Sequence, residues 1–298
     1  MESRSVIFLE RPILNAPDMV VALSGWADAA QVATGTVAYL ARKLEANRFA
    51  EVNPDEFYNF PELRPTVTIE NGVIASLRLP RANFFYWKAG LSGHDLILVH
   101  GVEPHHYWQR FSDLILDIAD IMGVRRIYTL GGLYDRVPHT LPPRISGVVN
   151  NRELTAVLEE FGIVPIGYQG PASFHSMLLM ECARLEKEAI SLWGHTPFYI
   201  RMEANPMVCL ALAGKLSEML GLEVDLEELK QASEYLREML DRLLAENKEL
   251  ALYVKKLEKE YLSQPAPSSE RAEDAERIIK EVEDFLRQQR DRGEGMAG

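Results

Sequence analysis

The sequence has little cysteine: two in 298 residues, Cys182 and Cys209, both in apolar helical stretches. Two thiols do not make a zinc site by themselves, and these read as small buried side chains of a reducing compartment. No run of about 18 apolar residues occurs, so no membrane span is expected. The opening MESRSVIFLERP lacks a basic start, a long apolar run and a small-residue cleavage site, so it does not read as a signal peptide. No basic stripe offsets the formal charge of −12, which argues against nonspecific binding to nucleic acid and gives no sign of binding to anionic membranes. The short catalytic motifs are missing too. There is no His-Glu-x-x-His, Cys-x-x-Cys, Gly-x-Ser-x-Gly or Gly-x-x-x-x-Gly-Lys, and nothing implies a metal or cofactor.

What is present is an alternation of short apolar runs with amphipathic stretches. MVVALSG, DLILVHG, RRIYTLGG and ISLWGH have the continuous apolar character of strands buried on both faces. Residues 27–46, 107–122, 153–161, 177–189 and 206–220 carry helical spacing, with Gly162 closing one helix and Pro206 opening another. IVPIGY reads as a further short strand. Asn71-Gly72 between TVTIE and VIASLRL is a hairpin signal. The pattern predicts an α/β fold: a three-layer α/β/α sandwich on a mostly parallel sheet, over residues 1–224.

Ligands in such sheets sit outside the carboxyl ends of the strands. Those ends hold Gly25, Trp26 and Asp28; Gly101, Glu103 and Pro104; Gly131, Gly132, Pro138, His139 and Thr140; and His195 with Tyr199. Acids and histidines gathered at one edge would permit acid-base or metal chemistry, and paired glycines would permit a phosphate cradle. Each residue also has a structural reading. His139 can brace a loop, and Gly131-Gly132 can admit a tight turn. Asp28 stands where a helix begins and acids stabilise that end. Adjacent His105 and His106 do not both face one metal.

Past Gly221 glycine disappears until Gly293, and leucine and charge take over. Heptad counting places Leu226, Ser233, Leu240, Asn247, Val254 and Tyr261 at a, and Leu229, Leu236, Leu243, Leu250 and Leu257 at d. One helix over 226–262 would be about 55 Å long at 1.5 Å per residue. Prolines at 263–269 would end it, and Glu270–Arg290 would return as the second arm of a helical hairpin. On this reading residues 225–298 form a coiled-coil extension. Asn247 fixes its register, and the arm projects toward a partner or another subunit.

The stretches LSGWADAAQVATGTVAYL, HGVEPHHYWQRF, GGLYDRVPHT, SLWGHTPFYI and NPMVCLALAGKLSEMLGL occur in an order that resembles the prokaryotic branch of the proteasome assembly chaperone family, over roughly residues 10–225. The resemblance implies a phosphorylase- or hydrolase-like α/β/α domain and cytoplasmic homo-oligomers, trimers favoured. It also implies a protein client or proteasome-like partner, and no established enzyme activity. The chain departs from the hydrophobic-Tyr-any ending by which some archaeal relatives dock: its last residues are Met296-Ala297-Gly298. The expectation is a non-enzymatic scaffold or assembly chaperone. The alternative is a hydrolase or phosphorylase using Asp28, Glu103, His139 and His195 at the sheet edge.

Overall fold

The computed structural model describes residues 5–90, 93–263, 279–280 and 282–284. Its strands are β1 (Val6–Phe8), β2 (Asp18–Ser24), β3 (Asn47–Val52), β4 (Thr66–Glu70), β5 (Val73–Arg78), β6 (Asn83–Trp87), β7 (Leu96–Val102), β8 (Arg126–Asp135), β9 (Ile145–Val149), β10 (Val164–Pro165) and β11 (Glu188–Pro197). Nine form one sheet in the order β1-β3-β6-β7-β2-β8-β11-β9-β10, and β4 and β5 form a separate hairpin. The central four, β7-β2-β8-β11, are mutually parallel. Antiparallel pairing begins on either side of them, at β6 and at β9, so the sheet is mixed.

The α-helices are α1 (Val32–Lys43), α2 (Trp108–Ile121), α3 (Thr155–Glu160), α4 (Phe174–Arg184), α5 (Pro206–Leu220), α6 (Glu227–Glu246) and α7 (Lys248–Ser263). Successive β2 side chains point to opposite faces. Met19, Val21 and Leu23 join an apolar cluster with Phe111 and Ile115 of α2 and Phe174 and Leu178 of α4. Val20 and Ala22 join another with Val37 of α1 and Leu212 of α5. Both faces being covered, the run has no polar position to spare.

Some elements differ from their expected form. The helix placed at 177–189 runs Phe174–Arg184, and Glu188-Ala189 already belong to β11. IVPIGY contracts to the two-residue β10. ISGVV, unremarkable as sequence, is β9; a Cβ on its Gly147 would sit 2.7 Å from Leu158 and 2.9 Å from Ile163, so only glycine lets α3 lie this close.

The single long rod is replaced by two helices. At Asn247 the backbone leaves the helix (φ −119, ψ 96). Its side-chain oxygen accepts from the Glu249 and Leu250 N–H groups at 3.1 and 3.0 Å. The residue expected to set a coiled-coil register is the N-cap of α7. Asn247→Ala is expected to cost about 1 kcal/mol, and Asn247→Gly only a few tenths, read as shifts of the urea midpoint. Nor does the extension project. Leu236, Leu240, Leu243, Leu250, Val254 and Leu257 are buried in one cluster with Tyr199, Ile200 and Met207 of the body, and with Val282. Leu226 and Leu229 are half-buried, Leu229 against the cluster under α1 and α5. Of the expected second arm, 279–280 and 282–284 are helical; its remainder and residues 264–269 lie outside the described residues.

Candidate functional site

The four parallel central strands bring the four loops to one edge of the sheet, where each loop solves a local problem. Gly25 follows β2 at φ +141, and a Cβ there would lie 3.1 Å from both Cβ and Oε2 of Glu103. Glu103 in turn accepts from the Phe174 N–H at 2.8 Å, placing its carboxylate at the N-terminus of α4. Pro104 offers its carbonyl to Trp108 Nε1 at 2.7 Å. Trp26 is 62% exposed. Asp28 is buried and accepts from the Ala33 and Thr34 N–H groups at 2.8 and 3.3 Å and from the Thr34 hydroxyl. Burial raises its pKa against those hydrogen bonds. Burial lowers that of nearby His100, against the attraction of Asp28.

Gly101 and Gly131-Gly132 are close-approach positions inside strands. A Cβ at Gly101 would lie 2.5 Å from Ala82 Cα, one at Gly131 2.6 Å from the Trp193 ring, and one at Gly132 would collide with Val32. β8 runs through its glycines to Asp135, so they form neither the turn nor the phosphate cradle considered from the sequence.

His139 and His195 lie together. Both are 2% exposed, and with Pro138 they line a cavity of about 10 Å³. The His139 backbone N–H donates to the Tyr199 hydroxyl at 2.8 Å, and the same hydroxyl lies 2.7 Å from His139 Nδ1. One phenol proton suits this geometry if the ring is neutral. Burial, aided by the positive charge of Arg237, pushes His139 down to about 4. His195 has Nε2 at 2.7 Å from Ser146 Oγ and Nδ1 at 2.7 Å from Asp135 Oδ2. Burial works to raise the Asp135 carboxyl, yet the His195 hydrogen bond and charge hold it below its ordinary range. Asp135 and Ser146 escape sequence reading. Ser146 reaches His195 because antiparallel β9 sets it opposite Trp193, and no spacing along the chain announces that register.

Among the described residues, no hydrogen bond joins the Asp28, Glu103 and His139 groups to one another. The His139 loop is also covered. From α7, Glu258 accepts from the Thr140 hydroxyl, Glu260 pairs with Arg136 at 2.8 Å, and the Tyr261 ring lies 4.4 Å beneath the Arg144 guanidinium. A cavity of about 10 Å³ has room for roughly one water, far below the few hundred Å³ of a small-ligand site. No group of three or more His, Cys, Asp or Glu among the described residues is arranged to hold a metal ion, and no described helix is long and apolar enough to cross a membrane.

These features make an α/β protein with a mixed sheet, part of whose carboxyl edge, at the His139 loop, lies under the chain's own C-terminal helices. The PAC2 family model matches residues 22–244, running past position 224 into α6, and the chain belongs to the PAC2 family. A PAC2 family protein from Streptomyces avermitilis is 31% identical, with 80% of this chain and 99% of that one covered and a TM-score of 0.74. A proteasome-assembly chaperone homologue from Mycobacterium tuberculosis is 30% identical over 79% of this chain and 99% of that one, TM-score 0.73. An archaeal proteasome activator from Pyrococcus furiosus, 21% identical over 80% and 98% with a TM-score of 0.63, shares the fold. No curated protein matches the sequence.

Proposed function

We propose that this chain is a cytoplasmic assembly chaperone or scaffold acting on a proteasome-like client as a homo-oligomer, with a three-layer α/β/α body. The observation that carries this reading is the covered His139 loop at the carboxyl edge. The cavity beside His139 and His195 takes about one water-sized body, while Trp26 and Tyr107 beside that edge are exposed at 62% and 66%. Family membership, and the naming of the Mycobacterium tuberculosis relative as a proteasome-assembly chaperone homologue, support it. The test is to mix the purified chain with proteasome core α subunits from the same cell and measure mass by light scattering. A complex heavier than either component is expected; two unchanged species would overturn the client assignment.

A hydrolase reading has one observation in its favour, the Ser146–His195–Asp135 series, which has the order of hydrogen bonds found in serine hydrolases. Against it, Ser146 is 0% exposed. A fluorophosphonate adduct on Ser146 in the native protein would establish this reading. The scaffold reading expects none.

A further inference from the structure

Asn205 caps α5, and it carries more than a cap requires. Its Oδ1 accepts from the Met207 and Val208 N–H groups at 3.1 and 3.4 Å, a task that Ser, Thr or Asp performs as well. Among these caps only asparagine adds an amide NH2. The two N–H groups on Oδ1 fix which way the amide is turned, because the opposite orientation would set donors against donors. Nδ2 is therefore a donor with two hydrogens. Asn205 is 1% exposed, and its Nδ2 has no hydrogen-bond partner among the described residues.

His139 presents a second atom of that kind. The Tyr199 hydroxyl accepts from the His139 backbone N–H, which leaves the phenol proton for Nδ1, 2.7 Å away. A neutral ring that accepts at Nδ1 carries its hydrogen on Nε2. Burial and the charge of Arg237 keep the ring neutral near pH 7. Nε2 is thus a donor as well, also buried without a partner among the described residues. Buried donors in folded proteins are nearly always satisfied, by protein or by ordered water.

Both residues line the cavity of about 10 Å³ between the β8–β9 loop and the start of α5. Since Nδ1 is turned to Tyr199, which is not part of that lining, the cavity meets the Nε2 side of the ring. The other walls are Val137, Leu141, Met207, Val208 and three prolines, together with His195, whose two nitrogens are taken by Ser146 and Asp135. Elimination decides the guest. The volume admits one heavy atom, on the scale of a water. Two donors repel a metal cation or an ammonium ion. An anion would sit among apolar groups with no Lys or Arg in the wall to compensate it. What fits is a neutral acceptor of one heavy atom, and two partners are the least that a buried water takes.

We propose that this cavity binds one internal water, which accepts from His139 Nε2 and Asn205 Nδ2 and so joins the β8–β9 loop to the N-terminus of α5. The Asn205 N–H donates to the Ala30 carbonyl at 3.0 Å, so the link extends to the loop after β2. His139 held in this way has no lone pair to offer the cavity and is not a base there. The inference needs neither the client nor the self-association proposed above.

The test is a high-resolution crystal structure of the full chain, grown near neutral pH with bromide as the only halide. A water peak about 2.7–3.2 Å from both His139 Nε2 and Asn205 Nδ2 is expected. No peak, a peak in reach of one of the two atoms only, or a protein group bonded to Nε2 would overturn the proposal. An anomalous bromide signal in the cavity would overturn it in favour of an anion. A second measurement needs no crystal. Nitrogen-15 NMR of the imidazole rings separates the two neutral tautomers, and His139 is expected to carry its hydrogen on Nε2. A hydrogen on Nδ1 would make Nε2 an acceptor and overturn the proposal.

Discussion

Leu257→Lys is expected to destabilise the protein by about 4 kcal/mol and to lift α7 from the body. Leu257 is 0% exposed, in a cluster that ties α6 and α7 to Tyr199, Ile200 and Met207. Truncating such a leucine costs about 2–5 kcal/mol through lost burial and the cavity left behind. A lysine adds the cost of holding an ammonium group away from water, which the chain avoids by releasing the helix. Once α7 lifts, Thr140, Arg136 and Arg144 lose Glu258, Glu260 and Tyr261, and the His139 loop becomes accessible. The comparison is Leu252→Lys. That side chain is on the same helix but 70% exposed, and its replacement is expected to change stability by no more than about 0.5 kcal/mol. Urea unfolding followed by circular dichroism measures both. Equal midpoints for the two variants would show that the cluster does not hold α7 in place.

Acid is expected to destabilise the fold steeply between about pH 6.5 and pH 4. Burial pushes both His139 and His175 from an ordinary 6.5 down to about 4. Below pH 6.5 the unfolded chain takes up protons that the folded chain refuses. Stability is therefore full above 6.5, falls as pH falls, and stops responding to these groups near 4. Each histidine contributes on the order of 2–3 kcal/mol across that window, at about 1.4 kcal/mol per unit. Asp135, held low in the fold, acts in the same sense further down, its contribution being lost below its ordinary 3.8. His175 makes the cleaner probe. Its Nδ1 has no hydrogen-bond partner, and its ring lies edge-on to Trp193 at 6.0 Å. His175→Phe keeps a ring there and removes the titration. It is expected to roughly halve the slope of unfolding free energy against pH between 6.5 and 4, with little change at pH 7.5. A slope equal to that of the parent protein would mean that His175 takes up its proton in the folded state.

The two results bear on each other. His139 stays neutral because it is buried on Tyr199 beside His195 and Met207, and α6 and α7 pack on Tyr199 in turn, so a variant that frees α7 should also move the acid transition toward that of an ordinary histidine. The same helices decide whether the sheet edge is a site or a seal.

Much of the body is legible in the residues themselves. β2, β7, β8 and β11 show as mainly apolar runs because each lies between two strands and two covered faces, which leaves room only for polar side chains with a partner, such as Thr129 on Ser191. α5 shows its own ends in Pro206 and Gly221, and Asn71-Gly72 names its turn, because these residues act through local backbone geometry. Gathering the loops of Gly25, Glu103, His139 and His195 at one edge needs only that the four strands run parallel. What sequence could not supply is contact between distant segments. Ser146 meets His195 through the register of β9, a strand with no periodic signature. Gly131 and Gly132 read as a turn, yet are glycines because Trp193 on the neighbouring strand and Val32 at the start of α1 crowd them. Asn247 suits a coiled-coil a position and a helix N-cap alike, and only the backbone at ψ 96 separates the two. The leucine seam says that one face must leave water. Apolar burial is non-directional, so the seam does not say what will cover it, and only the tertiary structure turned an arm expected to reach outward into the cover of its own sheet edge.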